Sequence, residues 1–335
     1  MKRLIVVLVL WVVGATPAWA EIDRAMLLGL SASVLKIEAL RVQGGFSLGT
    51  GVVVAPERLV TNCHVTHDAL KINVLRGGVR WLAVSQRSDV GHDLCLLRVP
   101  GLRASVVALG RADRLARGQP VTALGYSGGM GMQASPGQVL ALHRLDGTRV
   151  IQSSNWFSSG ASGGALFDED LQLVGILTFR LRGGEPHSFA APVEWLRALL
   201  DAAGQDDNDI APDRSEQLAY WQRPLREQPK FLKAALLERD DRWPELESLA
   251  TDWLRADAGD PEPWYLLGLA LAQTDRLPEA RHALECALAI EPAYPAASAR
   301  LASVHARQGL TERAATAAPG TGVACAPGAP SSRSS

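Results

Sequence analysis

Ser158-Ser159-Gly160-Ala161-Ser162-Gly163-Gly164-Ala165-Leu166 can be read in two ways, and the choice decides the fold. As G-x-S-x-G it fits a sharp turn that presents a nucleophilic serine between a strand and a helix. That reading also needs the acid and the histidine later in the chain. Here the serine is followed by two apolar runs, residues 165–167 and 171–179, with Asp168-Glu169-Asp170 between them, and this pattern reads as a hairpin. The best-placed histidine and aspartate, His64 and Asp93, come before the serine. The stretch is therefore a glycine-rich turn feeding a β-hairpin.

Outward from that turn, residues 34–192 read as short strands rich in Val, Ile, Leu and Thr, broken by Gly, Pro, Asp and Ser. Residues 51–55, 71–75, 94–99, 120–124 and 137–142 are examples, and the pattern is that of an all-β barrel or sandwich. Residues 193–203 form one amphipathic helix that closes this domain. The acidic, proline-containing stretch 204–213 reads as a linker. Beyond it the composition turns to Ala, Leu, Glu and Arg, and a repeat emerges. Trp243-Pro244-Glu245 and Leu277-Pro278-Glu279 stand 34 residues apart. Trp264, Leu267, Gly268, Ala280, Leu284, Ala287 and Pro292 follow the tetratricopeptide pattern of interlocking small and large residues, with a weaker copy from Pro295 through Leu301 and Ala314. A generic Ala/Leu helical hairpin would share this composition. The helical module spans residues 214–313, and the Ala-, Gly-, Pro- and Ser-rich stretch 314–335 reads as a disordered tail.

Three segments of the β region carry chemistry together: Thr61-Asn62-Cys63-His64-Val65, His92-Asp93-Leu94-Cys95-Leu96-Leu97 and the turn at Ser162. A serine hydroxyl becomes a useful nucleophile when a base takes its proton, and the base needs an acid to fix its tautomer and stabilise the imidazolium. His64, Asp93 and Ser162 supply those parts. The surrounding glycines let the amides of Gly160 and Ser162 aim at one point, where each can stabilise an oxyanion by about 3 kcal/mol.

On these motifs, with Gln152 ahead of the serine and Phe189-Ala190-Ala191-Pro192 after it, about half the chain resembles the trypsin-like (chymotrypsin-fold) serine proteases, closest to the HtrA/Deg periplasmic branch. The resemblance implies a double six-stranded β-barrel, followed here by an all-α helical-repeat domain. It implies His64 as base, Asp93 as orienting acid, Ser162 as nucleophile, and Gly160 with Ser162 as oxyanion donors. It also implies that residues 188–191 and 177–180 wall the primary specificity pocket. Leu177, Thr178, Phe179, Arg180 and His187 are the candidates there, with small or medium apolar side chains as the expected preference. Two departures matter. Ala161 stands where digestive members carry an aspartate that pairs with a newly cut N-terminus. Helical repeats stand where the HtrA branch usually carries a peptide-binding domain.

Cys63 and Cys95 flank the His64–Asp93 pair, so proximity of the pair predicts a Cys63–Cys95 disulfide in an oxidising compartment. Two buried free thiols are the alternative. Cys286 falls at an apolar repeat position and reads as core, while Cys325 in the tail is left without a role. The Cys and His spacing matches no closed zinc site, and the reading requires no metal and no organic cofactor.

Composition sets the outer limits. The 335 residues carry 34 basic and 35 acidic side chains and are 47% hydrophobic. A net charge of −1 gives no electrostatic case for nucleic acid, and the apolar content excludes disorder throughout. Lys2 and Arg3, ten apolar residues at 4–13 and Ala18-Trp19-Ala20 read as a cleavable signal peptide, residues 1–20, cut after Ala20. The alternative is an uncleaved anchor, but the run is short of the roughly 20 apolar residues a span needs. A periplasmic or secreted protein, not membrane-spanning after cleavage, is expected. The sequence therefore points to an exported serine endopeptidase acting on protein or peptide substrates, with a protein partner on the repeats. The alternative is an exported repeat scaffold with a silent protease fold.

Overall fold

The computed structural model describes residues 29–129, 131–181, 187–202, 208–212, 216–309 and 325. The signal peptide and nearly all of the tail read from the sequence lie outside these residues.

The two halves of the β region are built from antiparallel strands. The first half contains β1 (Val34–Arg41), β2 (Phe46–Ala55), β3 (Arg58–Thr61), β4 (Ala69–Arg76), β5 (Val79–Leu82), β6 (Ser85–Asp89) and β7 (Leu94–Arg98). The second contains β8 (Pro120–Gly125), β9 (Gln133–Leu145), β10 (Thr148–Ser153), β11 (Ala165–Phe167), β12 (Leu173–Leu181) and β13 (His187–Pro192). The second half closes as a six-stranded barrel in the order β10-β13-β12-β11-β8-β9. The first is an eight-stranded sheet in the order β14-β6-β7-β3-β2-β1-β4-β5, where β14 (Asn208–Asp209) comes from beyond the barrel. The chymotrypsin-like fold class is as expected, with one difference in detail. The first half is a sheet extended at its edges by β14 and β5 rather than a second six-stranded barrel.

Alternation explains the strands. In β1, Val34, Leu35, Ile37 and Ala39 are buried and the residues between them lie nearer the surface, the period-two signature of a half-buried strand. Leu35, Ile37, Val53, Leu59, Ile72, Val74 and Leu97 form the core of the first half. A larger core runs through the second, around Leu124, Val150, Ile151, Leu166, Phe167 and Ile176. The hairpin that decided the fold is present, with Ala165 opposite Ile176 and Leu166 opposite Gly175.

Helix α1 (Cys63–Thr66) is one short turn after β3, and α2 (Val193–Asp201) closes the β region with Val193, Trp195, Leu196 and Leu199 buried. The remaining helices are α3 (Lys230–Arg239), α4 (Trp243–Ala256), α5 (Pro261–Gln273), α6 (Leu277–Ile290) and α7 (Pro295–Arg307). The starts of α4 and α6 are 34 residues apart, as are those of α5 and α7. Each has proline in its first turn, where the missing N–H costs nothing. Gly268 on α5 permits close packing, since a Cβ there would sit 2.6 Å from Leu284 Cγ on α6.

Two boundaries differ from the sequence reading. Part of the expected linker pairs with β6, Asn208 opposite Gln86 and Asp209 opposite Ser85. The start of the expected helical module packs into the barrel core, with Phe231 of α3 beside it. Tyr220 is buried in the barrel core, its ring near Phe179, Trp195 and Phe231. Aromatic burial of this kind, worth a few kcal/mol, outweighs the local polar composition. Farther on, Arg117 pairs with Glu291 at 3.1 Å and lies over the Tyr294 ring, tying the barrel to the helices.

Candidate active site

The site lies where the two β halves meet. Asp93 heads β7 with φ +61°, a left-handed conformation that aspartate tolerates better than most side chains. The backbone is held there by its surroundings. Its carbonyl accepts from Asn62 Nδ2 at 2.8 Å and from the Cys63 amide at 3.3 Å, and its amide donates to the Val90 carbonyl at 3.1 Å. His92, one residue earlier, braces the same turn through Asp89, with Nδ1 2.7 Å from Asp89 Oδ2.

The Asp93 carboxylate is buried and faces His64 on α1. Oδ1 accepts the His64 backbone N–H at 2.9 Å, and Oδ2 lies 2.6 Å from His64 Nδ1. That contact places the imidazole proton on Nδ1 and leaves Nε2 as the basic nitrogen. The imidazole keeps 24% of its side-chain surface exposed.

Ser162 sits in the turn between β10 and β11. Its hydroxyl donates to the Thr178 carbonyl at 3.2 Å rather than to His64. The turn is shaped by two glycines with positive φ. At Gly163, φ +84°, a Cβ would lie 2.1 Å from the Thr50 carbonyl oxygen. At Gly160, φ +97°, it would lie 2.5 Å from the Tyr126 carbonyl oxygen. The Ser159 carbonyl is held by the Gly128 amide at 2.7 Å. Because C=O and N–H of a trans peptide point in opposite directions, this bond turns the Gly160 amide away from Gly128. The Gly160 carbonyl accepts from Thr50 Oγ1 at 2.7 Å, and the Ser162 carbonyl accepts from the Thr50 amide at 2.8 Å. The Ala161 carbonyl accepts the Gly164 amide at 2.8 Å. The peptides that carry the Gly160 and Ser162 amides are thus fixed by the Ser159 and Ala161 carbonyls, and those two amides have no hydrogen-bond acceptor among the described residues. Two such donors beside a serine suit an incipient oxyanion.

A family model described as "Trypsin-like peptidase domain" matches residues 49–176. The chain carries a trypsin-like peptidase domain. Among curated proteins, it is 29% identical over 175 residues to Serine protease Rv3671c of Mycobacterium tuberculosis, covering 49% of this chain and 44% of that protein. It is 33% identical over 164 residues to the Periplasmic pH-dependent serine endoprotease DegQ of Escherichia coli, covering 45% of this chain and 36% of that one. The chain thus spans less than half the length of the curated relatives it matches. Among solved structures, the active form of the Rv3671c protease from M. tuberculosis aligns with a TM-score of 0.52 and 25% identity, over 57% of this chain and 88% of that one.

In the peptidase domain, Cys63 and Cys95 are joined as a disulfide with Cα atoms 4.9 Å apart. A second disulfide joins Cys286 to Cys325. Cys286 is buried in the helical core, as its apolar repeat position implies, but nothing in the sequence pattern marks Cys325 as its partner. Among the described residues no group of His, Cys, Asp and Glu is placed to hold a metal ion. No helix among them is long and apolar enough to cross a membrane.

The expected pocket walls are neighbours on paired strands, with Leu177 opposite Ala190 and Phe179 opposite Phe189. Thr178 and Leu177 are buried. Leu177 lines a cavity of about 170 Å³ with Trp156, Phe157 and Ala123. The Arg180 guanidinium lies 5.6 Å from the Trp156 ring centre. His187 begins β13 opposite Leu181. Phe179 is sandwiched between Phe189, centroids 4.7 Å apart, and Trp221, 4.8 Å apart.

Sequence reasoning missed two residues of the peptidase site. Thr50 has only its place in Gly49-Thr50-Gly51 to mark it. Trp221 lies beyond the barrel, and its indole N–H reaches Asp93 Oδ2 at 3.1 Å.

Proposed function

We propose that this chain is an exported serine endopeptidase, with periplasmic proteins or peptides as substrates and the helical repeats as an interaction surface. The observation that carries the reading is the 2.6 Å contact between His64 Nδ1 and Asp93 Oδ2, in a peptidase domain whose nucleophile position is an intact serine. In this reading the Ser162 hydroxyl leaves the Thr178 carbonyl and donates to His64 Nε2. As the oxygen attacks a peptide carbonyl, Nε2 takes the proton and Asp93 stabilises the imidazolium. The amides of Gly160 and Ser162 receive the oxyanion, and His64 then protonates the leaving amine. Water activated by the same histidine hydrolyses the acyl-enzyme. Ala123, Trp156, Phe157 and Leu177 around the cavity of about 170 Å³ support small or medium apolar side chains at the primary pocket, beside the polar Ser127, Gln133 and Ser135. The relatives' periplasmic names and the charged-then-apolar N-terminus support export.

The Ser162–Thr178 bond is the observation that favours the silent-scaffold alternative. Labelling with a fluorophosphonate separates the two readings. The folded wild-type chain labels and Ser162→Ala does not, and peptide hydrolysis falls by about 10⁴-fold or more in that variant. Folded wild-type protein that fails to label overturns the endopeptidase reading.

A further inference from the structure

We propose that Trp221, from the segment after the β barrel, is a positioning residue for the catalytic pair. Its indole N–H is the second side-chain donor to Asp93 and fixes the carboxylate that orients His64. The proposal rests on the endopeptidase reading above.

The Asp93 carboxylate is 1% exposed, so solvent does not hold its orientation. Among the described residues its side-chain donors are His64 Nδ1 at 2.6 Å and Trp221 Nε1 at 3.1 Å, both on Oδ2. Thr178, whose carbonyl accepts the Ser162 hydroxyl, keeps its own hydroxyl bonds within the barrel. Thr178 Oγ1 donates to the Ile176 carbonyl at 2.9 Å and accepts from the Ala191 amide at 3.3 Å. An indole N–H donates only and an ionised carboxylate accepts only, so the Trp221–Asp93 bond has one polarity and survives any tautomer of the histidine.

The indole is itself held on every side. It stacks on Phe179, interplanar angle 14°, which stacks on Phe189 in turn. Its edge meets the His64 ring at right angles, centroids 5.5 Å apart. On the chain before it, Tyr220 is buried and its amide donates to the Gly91 carbonyl at 3.0 Å. Gln228 Nε2 donates to the Trp221 carbonyl at 3.1 Å and to the Arg223 carbonyl at 2.8 Å. The residue therefore contacts both catalytic partners from a segment anchored on each flank. Because His64 retains a quarter of its side-chain exposure, the indole covers the acid side of the pair without sealing the imidazole. That distinguishes a support from a plug.

The test uses the full chain with Trp221→Phe, which keeps the stacking and removes the donor. A second variant carries benzothienylalanine at position 221, which keeps the bicyclic shape and replaces the N–H with sulfur. Both are expected to lower kcat by about tenfold with KM within about twofold, the effect of losing one hydrogen bond to a charged group. Both are also expected to move the downfield His64 Nδ1 proton resonance. Wild-type kcat in the benzothienylalanine protein, or a kcat that rises in either variant, overturns the proposal. The resonance reads the contact without turnover. In wild-type protein that does not label at Ser162, the endopeptidase reading fails. There, a resonance that moves with the donor upholds the positioning contact and one that does not move overturns it.

Discussion

Thr50 on β2 and Gly160 in the turn before Ser162 are joined by a hydrogen bond from the Thr50 hydroxyl to the Gly160 carbonyl, 2.7 Å long. The same hydroxyl accepts the Tyr126 amide at 2.9 Å, and the Thr50 carbonyl accepts from Thr61 Oγ1 at 2.7 Å. One fully buried side chain thus connects the His64-bearing half to the turn that carries the nucleophile.

Thr50→Val keeps the shape and removes the hydroxyl. It strands the Tyr126 N–H and the Gly160 carbonyl, so unfolding free energy is expected to fall by about 1–3 kcal/mol. Loss of the Gly160 anchor should also lower kcat, by roughly tenfold, as the turn that presents Ser162 shifts from its productive position. Thr50→Ser restores most of both. Urea unfolding and steady-state kinetics on the three proteins check this, and wild-type kcat in Thr50→Val would show that the turn holds itself.

The Cys63–Cys95 bridge spans 32 residues and ties the His64 helix to the Asp93 strand. On the chain-entropy model, closing that loop stabilises the fold by roughly 3–4 kcal/mol. The double variant Cys63→Ala/Cys95→Ala is expected to unfold at correspondingly lower urea, and in the wild type Cys63 and Cys95 should resist alkylation until a reductant is added. Mass analysis after alkylation reads this directly. Full alkylation without reductant would exclude the bridge.

How much was legible follows from where the determinants lie along the chain. The glycine turn, the strand before His64 and the strand after Asp93 are local patterns, so short motifs disclosed them. The hairpin after Ser162 showed in the two apolar runs, residues 165–167 and 171–179, with Asp168-Glu169-Asp170 between them. Trp221 and Asp93 are 128 residues apart, and no local period encodes their meeting. Tyr220 likewise sits in a polar stretch whose composition reads as a module start, and only packing against Phe179 and Trp195 assigns it to the barrel. The Cys325 pairing was hidden in the same way, inside low-complexity sequence.

His143 on β9 and Glu262 on α5 illustrate a further long-range contact, with Nδ1 2.7 Å from Oε1 and both side chains buried. His143 Nε2 also faces Gln152 Oε1 at 2.9 Å, and the ring stacks on Phe231 with centroids 4.3 Å apart. His143→Leu leaves the Glu262 carboxyl buried without its partner. The expected cost is about 3 kcal/mol or more, felt where helices and barrel dock. Limited proteolysis should then cut between the two in the variant and spare the wild type. Equal resistance in both would assign the docking to Arg117–Glu291 and the aromatic contacts instead.

The last prediction concerns the turn before Asp93 and its response to pH. His92 stacks on Trp195, centroids 3.9 Å apart, with Asp89 on Nδ1 and Asp146 on Nε2 at 3.1 Å. Burial works to lower the imidazole pKa, but the hydrogen bonds and charges of Asp89 and Asp146 prevail and raise it above its ordinary 6.5. Burial works to raise the Asp89 pKa, and the His92 contacts prevail to hold it below 3.8. A raised folded pKa means the histidine's contribution is complete below about pH 6.5 and fades as pH climbs through the folded value. A lowered one means the carboxylate's contribution is complete above about pH 4 and fades as pH drops through its folded value. The pair therefore supports the turn most between these limits. His92→Gln, which keeps a donor but does not titrate, is expected to remove the part of the wild-type stability loss that sets in as pH rises above about 6.5. Thermal unfolding across that range, with the two proteins compared pH by pH, decides it. Parallel profiles would mean that the turn is held by the Asp93 backbone bonds alone.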